Sequence, residues 1–405
     1  MSKETVISVG ESLFLVKGIR RWGLYDFKKG TITIIDKKSG DLIVALCKIQ
    51  ISATQKQIFL KNHALPIWNQ IQKLGISKRL FKANPQIIDN KPFFSVCWLE
   101  LTNACNQQCI FCYAEANPKN TSFISVETAR KIIQETRKKG FYTLQLTGGE
   151  PFLHPNFWEI VEYAFIVNFP EIEVYTNLTP INRDDLIKLN QFGVKIATTL
   201  LGPNALIHDK CTRTNGSFKR WYQNIKELRS YKIPYRIAVV RTKENERFIS
   251  KIKQFLYNEK IIQSNKLLRI DDCRPCGRGS NTDVLPTKPQ VYGLHLNINP
   301  NFFYLAQRYN TCWAGKIAIS SNGDVYPCIF AREVNVGNIN KESFSKIFNS
   351  LERKYWKITL DQVEKCKDCE LRYACKDCRA LSLNTGKGLY GAPVRCNYDP
   401  FQETI

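Results

Sequence analysis

Three cysteines lie close together in the stretch LTNACNQQCIFCYA, and their spacing suits metal chemistry. Cys105, Cys109 and Cys112 are separated by gaps of three and two residues. Three thiolates so spaced can wrap a short loop around one inorganic cluster and leave a fourth metal position without a protein ligand. A structural zinc ion prefers four ligands, and no further Cys or His lies close by. The spacing of this cysteine loop therefore favours an iron–sulfur cluster with an open iron.

Seven more cysteines lie towards the C-terminus. Their gaps of two and five residues are typical of metal ligands in a compartment where thiols stay reduced. They are Cys312, Cys328, Cys366, Cys369, Cys375, Cys378 and Cys396. We expect metal, rather than a large apolar core, to hold this zone together.

A glycine turn follows the cysteine loop, in the run LQLTGGEP. Gly148 and Gly149 allow a close approach of the backbone to a ligand, and Glu150 can accept a hydrogen bond from an ammonium group. Taken alone, such a turn is weak support for a site. Its position one strand after the cysteine loop makes it a candidate part of the same site.

The cysteine spacing, with aromatic residues at Phe111 and Tyr113, resembles the radical S-adenosylmethionine (SAM) superfamily. The resemblance implies that the cysteine loop holds a [4Fe-4S] cluster that chelates SAM, and that the glycine turn contacts the SAM amino group. It also implies reductive cleavage of SAM to a 5′-deoxyadenosyl radical, which abstracts hydrogen from a substrate. An electron donor such as flavodoxin or ferredoxin is then required.

Other residues resemble that superfamily more loosely. Thr176 and Asn177 end the third predicted strand and resemble the pair near the SAM ribose, and Thr199, ending the fourth, resembles a SAM contact. His208 and Asp209 begin a stretch that is also similar to the family. For these two we favour a helix cap and a hydrogen bond over catalysis.

The run DDCRPCGRG follows the sixth predicted strand, at the mouth of the expected barrel. Cys273 and Cys276 are either incidental thiols in a turn, or a metal ligand or hydrogen-atom donor. Asp271 and Asp272 are candidate general bases, although carboxylates at strand ends are also common caps. We predict Cys273, Asp271 and Asp272 as catalytic residues.

The order of the seven C-terminal cysteines resembles the SPASM domain, the auxiliary-cluster extension of radical SAM peptide-modifying enzymes. The resemblance implies two auxiliary [4Fe-4S] clusters with interlaced ligands. The first auxiliary group is Cys312, Cys328 and Cys378. The second auxiliary group is Cys366, Cys369, Cys375 and Cys396. Many members have another cysteine before the position of Cys312, and this chain has none there. The first cluster therefore has an open iron, or Cys273 or Cys276 completes it.

The middle of the chain alternates between strand and helix patterns. Six strand candidates, SVCWLEL, YTLQLT, EIEVYT, VKIATTL, PYRIAVV and LLRI, are separated by helical segments. Ser125 resembles the N-cap of a helix whose apolar face includes Ala129 and Ile132. This order predicts an α/β fold with a parallel sheet, doubly wound or curled into a partial barrel, with the active site at the carboxyl ends of its strands. The resemblance favours a partial (β/α)6 barrel.

The first of three zones, residues 1 to about 92, has the pattern of a small winged-helix-like module. Strand patterns in LFLVKGIRRWGLYDF and TITIIDKK precede two helices divided by Pro66. This order resembles the leader-peptide recognition domain of ribosomal-peptide maturases, which binds its peptide as an added strand. Arg20, Arg21, Lys28 and Lys29 favour an acidic leader. We predict a recognition module at 1–92, a radical SAM barrel at 93–300 and a SPASM domain at 301–405.

Length and composition narrow the class of protein. The 405 residues, 43% of them hydrophobic, fit two or three globular domains. We find neither a signal peptide nor a membrane-spanning stretch, and predict a cytoplasmic protein without a membrane partner. The net charge of +23 is spread over all three zones without an aromatic-rich RNA-binding motif, which disfavours nucleic acid. Cys47, Cys97 and Cys211 are predicted to be buried and inert.

These observations predict a maturase of a ribosomally made precursor peptide. It would install a carbon–carbon, ether or thioether crosslink, or epimerise a residue. The alternatives are a radical SAM enzyme that acts on RNA or on another protein, and a non-enzymatic iron–sulfur or zinc-binding protein. Sulfatase maturation is disfavoured because Ile329 and Phe330 follow Cys328, where that branch typically has an Asp.

Overall fold

The N-terminal module is a four-stranded antiparallel sheet followed by three helices. The structure is a computed structural model, and it describes residues 5–83, 91–288 and 296–402. The strands are β1 (Val6–Gly10), β2 (Leu13–Lys17), β3 (Arg21–Asp26) and β4 (Thr31–Asp36). The helices are α1 (Lys37–Lys48), α2 (Ala53–His63) and α3 (Leu65–Lys73). The strands pair in chain order, so β1 and β4 form the two edges.

The module has more elements than the sequence pattern predicted. The first predicted strand is divided at Gly18 into β2 and β3, and α1 was not predicted. Gly40 lies within α1 because a side chain there would overlap the Trp22 ring on β3. The predicted division between two helices is confirmed, since Pro66 lies in the first turn of α3, where its missing N–H costs nothing.

The middle of the chain forms six parallel strands in chain order, each hydrogen-bonded to the next. The strands are β5 (Val96–Thr102), β6 (Thr143–Gly148), β7 (Glu171–Tyr175), β8 (Lys195–Thr199), β9 (Tyr235–Arg241) and β10 (Leu268–Asp272). The helices are α4 (Val126–Lys139), α5 (Phe157–Ile166), α6 (Arg183–Gln191), α7 (Ala205–Thr212), α8 (Ser217–Ser230) and α9 (Ile249–Asn258). Since the strand order never reverses, the sheet is of the barrel type and not doubly wound. The partial barrel is confirmed.

The helices cover the outer face of this barrel. The Ser125 side chain accepts a hydrogen bond from the Thr128 N–H and so caps α4, as predicted. Ala129, Ile132 and Ile133 are fully buried against the sheet. A fully buried aliphatic side chain contributes about 1.5–3 kcal/mol, so this apolar face holds the helix on the barrel.

The C-terminal zone is built of short elements and extends the barrel sheet. Its helices are α10 (Pro300–Ala306), α11 (Phe344–Leu351) and α12 (Arg379–Asn384), and its strands are β11 (Lys316–Ile319), β12 (Asp324–Tyr326) and β13 (Gly337–Asn338). β11 pairs in parallel with β5, which makes a nine-stranded sheet. The predicted boundary at residue 300 coincides with the first residue of α10, and the three domain ranges stay a prediction.

Both faces of the N-terminal sheet are covered. One face packs on α1–α3, and the other packs on Phe303 of α10 and on Tyr373. The Ile19 N–H donates to the carbonyl of Asp368, and Arg21 Nε lies 3.1 Å from Glu370 Oε1. The module is thus docked on the segment that contains the second auxiliary group. Within the described residues, no helix is long and apolar enough to cross a membrane.

Candidate active site

A cleft of about 740 Å³, including its open mouth, lies at the carboxyl ends of the barrel strands. The cysteine loop forms one wall, and the ends of β6, β7 and β8 form the others. The predicted residues on its surface are Cys105, Cys109, Cys112, Gly148, Gly149, Thr176, Asn177 and Thr199. Parallel strands end at the same edge of a sheet, which brings together residues far apart in the sequence.

The end of helix α7 holds the cysteine loop. The N–H groups of Gln108 and Ile110 donate to the carbonyls of Thr212 and Cys211, at 3.1 and 2.9 Å. The last carbonyls of a helix have no partner within it, so α7 offers ready acceptors here. The stretch that includes His208 thus positions the loop through the backbone.

The three thiols line a shared wall and do not converge on one point. Among the described residues, no three His, Cys, Asp or Glu side chains are grouped closely enough to hold a single metal ion. Thiolates that ligate separate irons of one cluster need no such convergence. Burial raises the pKa of Cys105 to about 12 and that of Cys109 well above its usual value. Cys105 and Cys109 therefore keep their protons until a metal displaces them.

The two glycines of the turn allow the cysteine loop to pack against β6. A Cβ on Gly148 would overlap the carbonyl oxygen of Thr102, and one on Gly149 would overlap that of Ala104. The Gly149 and Glu150 N–H groups donate to these same two carbonyls, at 2.7 and 2.8 Å. The glycines line the cleft, and they also set the distance between the cysteine loop and the turn.

Gly149→Ala is expected to displace the cysteine loop, because the added methyl group meets the rigid backbone of Ala104. We expect a loss of SAM affinity of at least tenfold, measured by equilibrium dialysis with the reconstituted protein. Gly140→Asn is the matched control, since Gly140 ends α4 with a left-handed backbone (φ 89°) and open space around it. Wild-type SAM affinity in Gly149→Ala would show that the close approach is not needed.

Glu150 is fully buried and joins the turn to the end of β7. Its oxygens accept hydrogen bonds from the Thr176 hydroxyl and the Asn177 N–H, both at 2.8 Å, and from the Phe152 N–H at 3.3 Å. Burial raises the pKa of Glu150 to about 7, against the effect of these donors. The carboxylate thus orients two residues of the cleft wall.

Asn177 faces the cysteine loop. Its amide nitrogen donates to Asn106 Oδ1 at 2.8 Å and lies 3.9 Å from Cys105 Sγ. Its amide oxygen accepts from Thr179. Asn177 therefore links the end of β7 to the first cysteine.

On the far wall, Thr199 and Tyr175 share a hydrogen bond of 3.0 Å between their hydroxyl groups. His208 also lines the cleft, and its Nδ1 accepts from the Leu201 N–H at 3.2 Å. Burial lowers the pKa of His208 to about 4, so it is neutral at pH 7. Asp209 accepts from the Gly216 and Phe218 N–H groups at the start of α8. The predicted hydrogen bond and helix cap are confirmed.

Sequence reasoning assigned no role to three residues of the wall. Gln107 Nε2 and Tyr113 Oη are buried on the cleft and have no hydrogen-bond partner within the described residues. Arg278 donates to the carbonyls of Cys109 and Ala116, at 2.8 and 2.9 Å. Two unpartnered polar groups beside three thiols suit a polar ligand bound next to a metal cluster. Arg278 thus braces the backbone of the cysteine loop.

The predicted catalytic residues Cys273, Asp271 and Asp272 lie beside the cleft and do not contribute to its described wall. Asp272 is buried, with Oδ1 2.6 Å from Arg241 Nε and Oδ2 3.5 Å from Arg395. Asp271 pairs with Arg269. Cys273 is buried and its thiol faces its own chain at the Arg274 carbonyl, 3.5 Å away. Both carboxylates are ion-paired, and the catalytic role of all three residues stays a prediction.

The structure brings together the members of the first auxiliary group. The Cys312 thiol donates to Cys378, which lowers the pKa of Cys378, and Cys328 interacts with both. The carbonyl of Cys328 accepts from Ala331 and that of Cys378 accepts from Leu381. Cys378 thus faces Cys312, although in the sequence it directly follows three cysteines of the second auxiliary group.

The four members of the second auxiliary group share a separate cavity of about 390 Å³. Leu360, Pro393 and Pro400 are among its other walls. Burial raises the pKa of Cys369 and Cys375 to about 12. Four thiols around one cavity have the number and chemistry that a fully ligated [4Fe-4S] cluster requires.

Comparisons with known proteins agree with this geometry. The radical SAM superfamily profile matches residues 99–256, and the SPASM iron-sulfur cluster-binding domain matches residues 312–379. The antilisterial bacteriocin subtilosin biosynthesis protein AlbA of Bacillus subtilis is 32% identical over 311 residues, which cover 71% of this chain and 68% of AlbA. The chain belongs to the radical SAM superfamily. As a radical SAM enzyme with a SPASM domain, it binds SAM, a [4Fe-4S] cluster and auxiliary iron–sulfur clusters, and it cleaves SAM.

Other relatives of this radical SAM enzyme differ in function. The mycofactocin maturase MftC of Mycolicibacterium smegmatis is 27% identical over 330 residues, which cover 73% of this chain and 81% of MftC. A cysteine-type anaerobic sulfatase-maturating enzyme of Clostridium novyi is 28% identical over 324 residues, which cover 68% of this chain and 85% of that enzyme. The crystal structure of Streptococcus suis SuiB bound to S-adenosylmethionine has the same fold, with a TM-score of 0.58, 14% identity and coverage of 97% of this chain and all of SuiB.

Proposed function

We propose that this radical SAM enzyme modifies a ribosomally made precursor peptide, which it recognises through its N-terminal module. AlbA and MftC, named for bacteriocin biosynthesis and mycofactocin maturation, support this class of substrate. SuiB has also been solved bound to its precursor peptide SuiA, and its fold matches 96% of this chain. The proposed products are a crosslink, through carbon–carbon, ether or thioether bonds, or an epimerised residue.

The observation that carries the proposal is the open edge of β4. Both faces of the N-terminal sheet are packed, so a peptide can reach this sheet only at an edge. An edge strand also offers unpaired backbone groups for pairing. The β1 edge is partly occupied, because Gly10 bridges to Leu80 and the Phe81 N–H donates to the Val9 carbonyl. Within the described residues, β4 pairs only with β3. A leader segment can therefore add to β4 as a fifth strand.

The basic residues that suggested an acidic leader are mostly engaged elsewhere. Arg21 is buried against Glu370, Lys28 pairs with Glu11, and Lys29 donates to the Leu74 carbonyl. Lys37 and Lys38, which follow β4 directly, are exposed. These two lysines are the better candidates for contacts with acidic residues of a leader.

The chain's own residues have separable tasks in this function. When bound, the cluster and SAM supply a 5′-deoxyadenosyl radical that takes a hydrogen atom from the substrate. The cysteine loop would hold the cluster, while Gly148, Gly149 and Asn177 would orient SAM. Glu150 fixes Asn177 from behind. A low-potential donor such as flavodoxin or ferredoxin would supply the electron, and the cytoplasm, where thiols stay reduced, would be the compartment of the enzyme.

Binding of the peptide is expected to protect the backbone of β4 from hydrogen exchange. The probe is the synthetic leader half of a short peptide encoded beside the gene, added to the full-length enzyme. Amides of Thr31–Asp36 should exchange at least tenfold more slowly with the peptide, because their outward N–H groups gain partners. Amides of β1 (Val6–Gly10) are the internal control and should be unchanged. Protection of β1 alone would refute binding at the β4 edge.

A further inference from the structure

The segment from Asp271 to Gly279, here called the strap, connects the two cysteine sites at the barrel mouth. The sequence drew attention to it because of its two thiols, yet its arginines make the contacts that join the sites. At one end, Gly277 packs on the carbonyls of Cys112 and Tyr113, and Arg278 braces the cysteine loop. At the other end, Arg274 reaches the first auxiliary group.

Arg274 directs a positive charge at that group. Its Nη1 atom lies 3.9 Å from Cys378 Sγ, and its guanidinium carbon lies 5.8 Å from the ring centre of Phe330. Phe330 in turn packs edge-on against Tyr113, which lines the SAM cleft. Arg274 thus lies between the first auxiliary group and the cleft.

The backbone of the strap fixes Arg274 in this place. The Cys276 N–H donates to the Arg274 carbonyl at 2.8 Å, and the Cys273 thiol donates to the same oxygen. Gly279 approaches this carbonyl so closely that a Cβ would overlap it. The Cys273 thiol and the Cys276 backbone N–H therefore support the turn that presents Arg274, which gives the Cys273 thiol a structural purpose.

We propose that Arg274 is a positioning residue that raises the reduction potential of the first auxiliary cluster. The proposal rests on the assignment of Cys312, Cys328 and Cys378 to that cluster. Reduction adds negative charge to a cluster and its sulfurs, so a cation and an N–H donor aimed at a ligand sulfur stabilise the reduced state. Hydrogen bonds to the sulfurs are among the factors that set such potentials.

The test compares Arg274→Gln and Arg274→Lys with the wild type, as full-length, anaerobically reconstituted enzyme without substrate. An EPR-monitored potentiometric titration gives the midpoint potential of each cluster. In Arg274→Gln we expect one midpoint potential to fall by about 59 mV. For one electron, this corresponds to a tenfold change in the ratio of reduced to oxidised cluster. Arg274→Lys keeps the charge but not the planar guanidinium, so its shift should be smaller.

Two further variants make the result specific. Cys378→Ala removes a ligand of the first auxiliary cluster, so the signal it abolishes identifies the cluster whose potential should move. Arg278→Gln alters the same strap but contacts carbonyls of the cysteine loop, so the auxiliary potentials should not change. An unchanged midpoint in Arg274→Gln, a shift in another cluster, or loss of the cluster in Arg274→Lys would overturn the proposal. If Cys378→Ala keeps its full iron content, the ligand assignment is wrong and the proposal falls with it, while peptide binding at β4 is untouched.

Discussion

Replacement of Cys105, Cys109 and Cys112 together by alanine is expected to abolish formation of 5′-deoxyadenosine from SAM. These thiols are the only predicted metal ligands on the described wall of the cleft. Beside them, Gln107 Nε2 and Tyr113 Oη have no hydrogen-bond partner among the described residues. Reconstituted wild-type enzyme should contain about twelve irons per chain, and the variant about eight, because each [4Fe-4S] cluster holds four. Chromatography of the reaction products and iron analysis measure the two effects.

The matched controls are Cys47→Ala and Cys97→Ala. Cys47 lies on α1 in the N-terminal module, and Cys97 is fully buried on β5. Both variants should keep the wild-type iron content and rate of SAM cleavage, because neither thiol lies on the described wall of the cleft or of the second auxiliary cavity. If the triple variant still cleaved SAM, the cleft would not be the active site. If a control variant lost iron, the loss could not be assigned to ligands.

The barrel could be predicted from the sequence because its signals are local. Each of the six strands is a short apolar run bounded by turns, and each lies within two residues of its prediction. The N-terminal module was harder to predict. Gly40 weakens the helical pattern of α1. A glycine at this position is explained only by the ring of Trp22, which lies on β3. A tertiary contact here overrides a local propensity.

The residues of the candidate site are also of two kinds, those that the sequence predicts and those that only the fold brings into contact. The spacing of the cysteine loop identified its members, since close ligands on one loop leave a pattern in the sequence. The brace from Arg278 leaves none, because it lies 169 residues beyond the carbonyl it contacts. The glycine turn was interpreted as ligand contact, whereas its tightest neighbours are Thr102 and Ala104. Spacing therefore predicts candidate ligands, and only the fold reveals what positions them.

The interlaced assignment of the auxiliary cysteines leads to the second large expected effect. Cys378 is three residues from Cys375 in sequence, but the structure places it against Cys312 and leaves Cys375 in the cavity with Cys396. Each of Cys312→Ala and Cys378→Ala should lower the iron content by about four per chain, because a cluster with only two remaining ligands is not retained. Cys396→Ala leaves three ligands for the second auxiliary cluster, so we expect this variant to lose that cluster in only a fraction of the molecules.

Pairs of substitutions distinguish this assignment from one that follows sequence order. The double variant Cys312→Ala/Cys378→Ala should lose no more iron than either single variant, since both thiols serve one cluster. The triple variant Cys312→Ala/Cys375→Ala/Cys396→Ala removes one ligand of the first auxiliary cluster and two of the second. It should keep about four irons per chain, those of the SAM-binding cluster. Additive losses in the first pair would instead place Cys312 and Cys378 on different clusters. Because the cysteine loop is unchanged in all these variants, SAM cleavage should persist and show that the barrel has folded.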